Sequence, residues 1–396
     1  MKQIRTNKLD DQDKIAPNWY SWLFTKQIFL IFGAVLIGAC GYNKIIRQRY
    51  KVNHHQLPHA RFINSSAVEV IKTLKVSAIK SNPLIKTKNF KITYNVLNNP
   101  KLTKSQKLDK IVNAVVNLTK QQELPLEPLS VTLIDIKTQT ISGYHQHVPK
   151  YPASVVKLFW MVILEQYHNL YIVDNNNYSH QNLVNMILKS DNDAASQIID
   201  TITDTKTSLN QLSESKLATW LNKRYQVNRF FEQAGYKGIN ISQKTFPVTE
   251  PKISQPQGTE LQLQNSQNTG NRISTYHAAR LMYEIVTNRA VSAPSSQKML
   301  TLLKRDLRIS TWKNNPPPTE GFNAIENFLG ESLSGKEIIF ASKAGQTSTG
   351  RQEVAYIGSK DGRMQYIVAV FGCSRKYSES NSIFPDISRL VFEGMR

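Results

Sequence analysis

Apolar and polar positions divide the chain into a leader, a weakly patterned middle and a strongly patterned remainder. Residues 1–18 are polar and charged, and Trp19–Tyr42 is mostly apolar, broken by Lys26 and Gln27. The unbroken part, Ile28–Tyr42, is 15 residues long, short of the ~20 that a spanning helix needs. Adding Trp19–Thr25 completes a span, with Lys26 reaching to the interface and Trp19, Tyr20 and Trp22 in an aromatic belt. A cleaved signal peptide is the rival reading. Residues 43–104 are basic and poor in aromatic side chains, and read as a stalk with a short helix over Ala67–Lys80.

From residue 105 onward the periodicities sharpen. Leu108, Ile111, Val112, Val115 and Leu118 recur at helical spacing. Leu129, Val131 and Leu133 alternate as in a strand, with Gln139–Gln146 as its return. A helix is predicted from Ser154 through Leu164, and several more over residues 181–245. Gln255–Asn271 shows no apolar period and reads as an exposed loop. Ile273–Thr287 and Ser295–Leu307 read as helices. Ile338–Ser342, Gln352–Ser359 and Met364–Phe371 read as strands, with Asp361-Gly362 as a hairpin turn. Ile383, Ile387, Leu390 and Val391 mark a closing helix. Strands at both ends with helices between predict an α+β domain over 105–396.

Charge changes the picture only at the leader. The chain carries a formal net charge of +21, and residues 1–126 hold 21 of the 50 Lys/Arg but 6 of the 29 Asp/Glu. A basic leader beside an apolar run fits attraction to anionic headgroups or to an anionic wall polymer, and equally a solvated, extended linker. No nucleic-acid-binding motif accompanies it, so nucleic acid is not an expected partner. Lys and Arg flank the apolar run on both sides, so the positive-inside rule does not orient it. The two cysteines, Cys40 and Cys373, exclude a disulfide framework and a cysteine-based zinc site. Ile37-Gly38-Ala39-Cys40 is similar to a bacterial lipobox, in which cleavage leaves a lipidated cysteine.

Three short motifs carry the chemistry. Ser-x-x-Lys occurs at Ser77, Ser154, Ser213, Ser295 and Ser310. Ser154 comes after Pro152 and opens an apolar helix, which puts Ser154 and Lys157 on one helical face within hydrogen-bond reach. Val155, Val156, Leu158, Phe159 and Trp160 desolvate Lys157, which lowers its pKa toward that of a useful base. Alone, Ser154 reads as a helix N-cap. Ser190-Asp191-Asn192 follows a helical pattern; its hydroxyl can relay a proton and its amide can bind a carbonyl, or the three are a turn. Lys343-Ala344-Gly345 ends a strand-like run, with a lysine suited to a carboxylate and a glycine suited to close backbone approach. The amides of Gln346 and Ser154 can then pair as an oxyanion hole. His145, His147 and His180 lack metal-ligand spacing, and neither metal nor cofactor is expected.

In this order the motifs resemble those of the penicillin-recognising serine hydrolases, and most closely of class A β-lactamases, over roughly Ser105–Arg396. The resemblance implies an antiparallel sheet flanked by its terminal helices, joined to a helical lobe with the site in the cleft. It implies Ser154 as acylated nucleophile, Lys157 as its base, Ser190 as proton shuttle, Asn192 on the acyl side chain, and Lys343 on a substrate carboxylate. It places the catalytic domain outside the cytoplasmic membrane, so residues 1–18 become a cytoplasmic tail and a β-lactam or a peptidoglycan stem peptide the partner. Ala344 departs from the family's Thr or Ser, and Thr347, Ser348 or Arg351 is the candidate to replace that hydroxyl, with Arg351 at about the right place on the next strand. The gap from Ser154 to Ser190 is shorter, and that from Ser190 to Lys343 longer, than in class A enzymes. The family's deacylating Glu-Pro-x-Leu-Asn is matched by Glu250-Pro251-Lys252-Ile253-Ser254, with Glu260 the poorer candidate. If Glu250 activates water the protein destroys β-lactams. If not, it behaves as a penicillin-binding protein or slow D,D-peptidase. A non-catalytic envelope-binding protein on the same fold is the alternative outside enzymology.

Overall fold

The computed structural model describes residues 92–313 and 322–396. The apolar run at 19–42, the helix at Ala67–Lys80 and Cys40 lie outside the described residues. No helix among the described residues is long and apolar enough to cross a membrane.

Six strands form one sheet: β1 (Thr103–Lys104), β2 (Leu129–Asp135), β3 (Thr140–Tyr144), β4 (Ile338–Thr347), β5 (Gly350–Ser359) and β6 (Gln365–Gly372), in the order β1-β3-β2-β6-β5-β4. Every pairing is antiparallel except β1 with β3. β4 is therefore an edge strand. Both faces are covered, which is why the central strands read as nearly continuous apolar runs. In β6, Val368 and Val370 belong to one core, while Ile367, Ala369 and Phe371 belong to the other.

The first core lies under α1 (Gln106–Gln121) and the C-terminal helix Ile383–Met395. Ser105 caps α1 by accepting from the Leu108 amide, and Leu108, Ile111, Val112 and Val115 turn inward at the predicted spacing. The second core holds the helical lobe. It comprises α2 (Lys157–Asn169), α3 (Asn177–Val184), α4 (Asn192–Thr203), α5 (Glu214–Arg224), α6 (Gln226–Glu232), α7 (Gly258–Gln267), α8 (Thr275–Val286) and α9 (Ala293–Leu303). α2 is buried on all sides from Lys157 to His168, as expected for a helix at the centre of a lobe. Trp160 in it donates to the Ile241 carbonyl at 2.8 Å.

Two expectations are corrected. The stalk does not extend to 104. Tyr94 is fully buried against Phe230, Phe231 and Tyr236, its amide donates to the Phe230 carbonyl, and β1 joins the sheet. One aromatic residue docks this segment, too weak a pattern to read in a basic stretch. The Gln-rich segment is not a loop throughout, because it contains α7. Gln is a good helix former, and only Thr259, Glu260 and Leu263 are buried, so the inward stripe is too narrow to show as periodicity.

Candidate active site

Ser154 lies in a single 3-10 turn, Ala153–Val156, that runs into α2. The residue before it, Ala153, has φ +45°, a region sparsely populated by non-glycine residues. On the neighbouring wall, a π-helical turn over Asn185–Lys189 ends at Ser190, which has φ +57°. Asp191 then caps α4 by accepting from the Ala194 amide at 2.8 Å, and Asn192 is that helix's first residue. The Ser190-Asp191-Asn192 turn is thus both a helix junction and a site wall. Strained backbone at Ser190 and at the residue before Ser154 is of the kind that clusters at functional positions.

Lys157 joins these two walls. Its Nζ lies 3.1 Å from Ser154 Oγ, 3.5 Å from Ser190 Oγ and 2.7 Å from Asn192 Oδ1, and it donates to the Ser190 carbonyl. Burial pushes its pKa down to about 7, against the opposing pull of Asp191. A neutral fraction is therefore present at physiological pH.

The edge strand supplies the third wall. Lys343 Nζ donates to Ser190 Oγ at 2.9 Å and to the Ala344 carbonyl at 2.8 Å. Burial, then the charges of Lys157 and Arg305, hold its pKa well below the usual lysine range, with Glu353 opposing. A Cβ at Gly345 would stand 2.5 Å from the Ser154 amide nitrogen and 3.0 Å from Ala153 Cβ. Only a glycine lets β4 lie this close to the amide of Ser154. Gln346 follows on the strand, its side chain donating to the Ser378 carbonyl at 3.2 Å.

The structure therefore brings Ser154, Lys157, Ser190, Asn192, Lys343 and Gly345 together. Glu250 makes no direct bond to them. Glu250 is exposed on a short hairpin closed by reciprocal main-chain bonds between Val248 and Ile253. Among the described residues no hydrogen bond or ion pair joins it to any member of the cluster. The hairpin is nonetheless tied to the site's flank. Thr249 donates through its amide and its hydroxyl to Asp193, at 2.6 and 2.7 Å. Glu260 is no loop carboxylate; it is buried 3.1 Å from Arg224, which also pairs with Asp200, while Asp200 pairs with Lys244.

Arg351 is also displaced from its expected role. It pairs with Gln346 across the β4–β5 register, three positions from the Val354 that faces Lys343, so it projects from the opposite face of the sheet. Its terminal nitrogens donate to the carbonyls of Asn327, Ser378 and Ser380, and the guanidinium lies over Phe328 and Phe384. It locks main chain and offers no free fork to a carboxylate. Arg351 therefore does not replace the hydroxyl that Ala344 lacks.

Two groups at the site had no motif to announce them: Arg305 follows α9, and Phe322 places its ring 5.8 Å from Lys343 Nζ. They reach the site through tertiary packing alone. Glu353, opposite Ala344 in β5 and so on the sheet face that Arg351 takes, acts on Lys343 as a charge. No cluster of three or more metal-ligating side chains exists among the described residues.

A family model described as Beta-lactamase enzyme family matches residues 168–395. The match begins after Ser154 and Lys157. No curated protein matches the chain. Among solved structures, the β-lactamase from Sphaerobacter thermophilus DSM 20745 is similar at 16% identity and a TM-score of 0.50, covering 72% of this chain and 97% of its own. PBP-A is similar at 14% identity and a TM-score of 0.50, covering 74% and 98%. The TLA-1 extended-spectrum β-lactamase is similar at 13% identity and a TM-score of 0.50, covering 73% and 99%. At these identities the likeness is one of fold.

Proposed function

This chain belongs to the β-lactamase enzyme family and is a serine hydrolase; we propose that Ser154 takes the acyl group of a β-lactam, or of the peptidoglycan stem peptide it mimics, and releases it slowly. The observation that carries this reading is the unbroken polar path from Ser154 Oγ through Lys157 Nζ to Ser190 Oγ and Lys343 Nζ. Neutral Lys157 accepts the Ser154 proton as Oγ attacks the carbonyl carbon. The amides of Ser154 and Gln346 hold the oxyanion, beside the close approach of Gly345. As the C–N bond breaks, Ser190 hands its proton to the leaving nitrogen and regains one from the lysines behind it. Asn192 keeps its Nδ2 for an acyl-side carbonyl, because its Oδ1 is engaged by Lys157.

Slow release is supported by the exposure of Glu250, which among the described residues has no direct hydrogen bond or ion pair to the cluster. PBP-A, one of the similar folds, includes a variant solved as an acyl-enzyme complex with penicillin G, and we propose the same kind of adduct here. Fast turnover is the second reading. It is favoured by the Thr249–Asp193 bonds, which hold the Glu250 hairpin beside Asn192. Labelling with a fluorescent penicillin, followed by a chase with unlabelled drug, separates the two. Label on Ser154 that survives for many minutes supports slow release, whereas rapid loss with steady nitrocefin hydrolysis selects fast turnover. No label under any condition would sink both.

We further propose that Trp19–Tyr42 anchors the protein, with the catalytic domain outside the cytoplasmic membrane. The apolar run beside a basic leader supports it. Recovery of the full chain in the soluble fraction would overturn it. Palmitate labelling lost in Cys40→Ser would identify the anchor as lipid.

A further inference from the structure

Arg305 makes a set of contacts that the acylation chemistry does not use. Its Nη2 donates to the Ile187 carbonyl at 2.9 Å and to the Ser342 carbonyl at 3.0 Å, and its Nη1 to the Leu302 carbonyl at 3.3 Å. Its own amide donates to the Phe340 carbonyl at 3.0 Å. Ile187 lies in the π-helical turn that ends at Ser190, and Ser342 is the residue before Lys343. One guanidinium therefore bridges the helical lobe and the edge strand at the root of both side chains that meet at 2.9 Å.

We propose that Arg305 is a positioning residue for the Ser190–Lys343 pair, holding the two walls of the proton path at bonding distance. The inference rests on the acyl-transfer reading above. A planar fork with several donors on fixed vectors can hold two carbonyls at once, where an ammonium on a flexible stem cannot. A cation so placed also acts on Lys343 electrostatically. The charged groups around that ammonium are Lys157 from α2, Arg305 from the segment after α9, and Glu353 from β5, with Asp191 acting on Lys157. Burial lowers the Arg305 pKa to about 10, with Glu353 opposing, so the guanidinium remains charged at neutral pH. Glu353 has its own carboxyl raised to about 7 by burial, while the Leu329 amide donates to it at 2.7 Å.

The test uses the full chain and two readouts: the rate of penicillin labelling of Ser154, and the titration of Lys343 by NMR of ε-13C-lysine protein, assigned with Lys343→Arg. Arg305→Lys keeps the charge and loses the bridge. It should lower the labelling rate about ten- to a hundredfold, the scale of a 1 Å misplacement, with the Lys343 titration near its wild-type position. Arg305→Met should show the same fall and move the Lys343 titration to higher pH. Labelling at the wild-type rate in both variants, or a lower melting temperature with rate and titration unchanged, would overturn the proposal. If neither variant folds, Arg305→Gln, a smaller neutral donor, decides. It should slow labelling and move the Lys343 titration to higher pH, and a wild-type rate with no movement would overturn the proposal. Wild-type protein that never labels would overturn the acyl-transfer reading, while the Lys343 titration in Arg305→Met would still uphold or overturn the placement of Arg305.

Discussion

Around Ser154, each polar side chain is held by its neighbours in the set: Lys157 by Ser154, Ser190 and Asn192, and Lys343 by Ser190. Around Glu250, the side chain is exposed, and the hairpin is fixed by Thr249 on one flank and by charges at its base. That base is a buried cluster. Glu260 Oε2 accepts from the Lys244 amide, and Arg224 lies between Asp200 and Glu260. The first region is set by direct contact among the reacting groups. The second leaves the Glu250 side chain exposed. On the acyl-transfer reading proposed above, the acylating half of the cycle is locked, and the hairpin that is the candidate for release is not.

The largest effect expected is at the nucleophile. Ser154→Ala should abolish penicillin labelling and leave melting nearly unchanged, as read by in-gel fluorescence and calorimetry. Retained label would mean that the locked cluster is not the reacting one. Lys157→Met should follow, slowing acylation by about 10²–10⁴-fold, the range for a positioned general base. The pH dependence has a definite sign. Lys157 works as the neutral amine and its pKa is about 7, so wild-type acylation should rise as pH passes through 7, and this limb should vanish in Lys157→Met. A limb that persists would assign it to another group.

Third comes the base of the hairpin. Arg224→Met removes the cation from between Asp200 and Glu260 and leaves Glu260 buried without it. Breaking a buried pair in this way costs about 3–5 kcal/mol, measurable as a shift in the denaturant midpoint. Because the acylating cluster is anchored elsewhere, the folded fraction should still label at nearly the wild-type rate. A collapse of labelling in folded protein would show that the two regions are coupled.

These two regions also differ in how much of them could be read from residues alone. The cluster is legible because its members sit in ordered elements at readable spacings. Ser154 and Lys157 are adjacent on one helical turn, Ser190 to Asn192 sit at a helix junction, and Lys343 to Gly345 end a strand. The sheet and its flanking helices were legible for the same reason. What escaped depends on partners far away in the chain. Arg305 acts through Ile187 and Ser342, which no spacing rule connects. Arg351 sat close to the expected strand position, yet three carbonyls and two rings decide its direction. Glu260 read as a loop carboxylate because its helix shows little apolar stripe, and its partners Arg224 and Lys244 come from other segments.

The smallest effect expected is the one that bears most on the comparison. Glu250 carries the Glu-Pro pattern, and the structure leaves it exposed, with no direct hydrogen bond or ion pair to Ser154 or Lys157. A surface substitution away from such contacts changes free energies by at most ±0.5 kcal/mol, about twofold in rate. Glu250→Gln should therefore leave both the labelling rate and the lifetime of the label within about that factor. A lifetime lengthened many-fold would mean that the hairpin closes over the acyl-enzyme, carrying Glu250 in from its tether on Asp193. The same substitution made with Thr249→Val would then distinguish a carboxylate that activates water from a hairpin that only covers the site. Cutting the tether should lengthen the lifetime by the same factor only if closure depends on Asp193. The two halves of the cycle would in that case be joined by one side chain, Asp193, next in sequence to Asn192 of the acylating cluster.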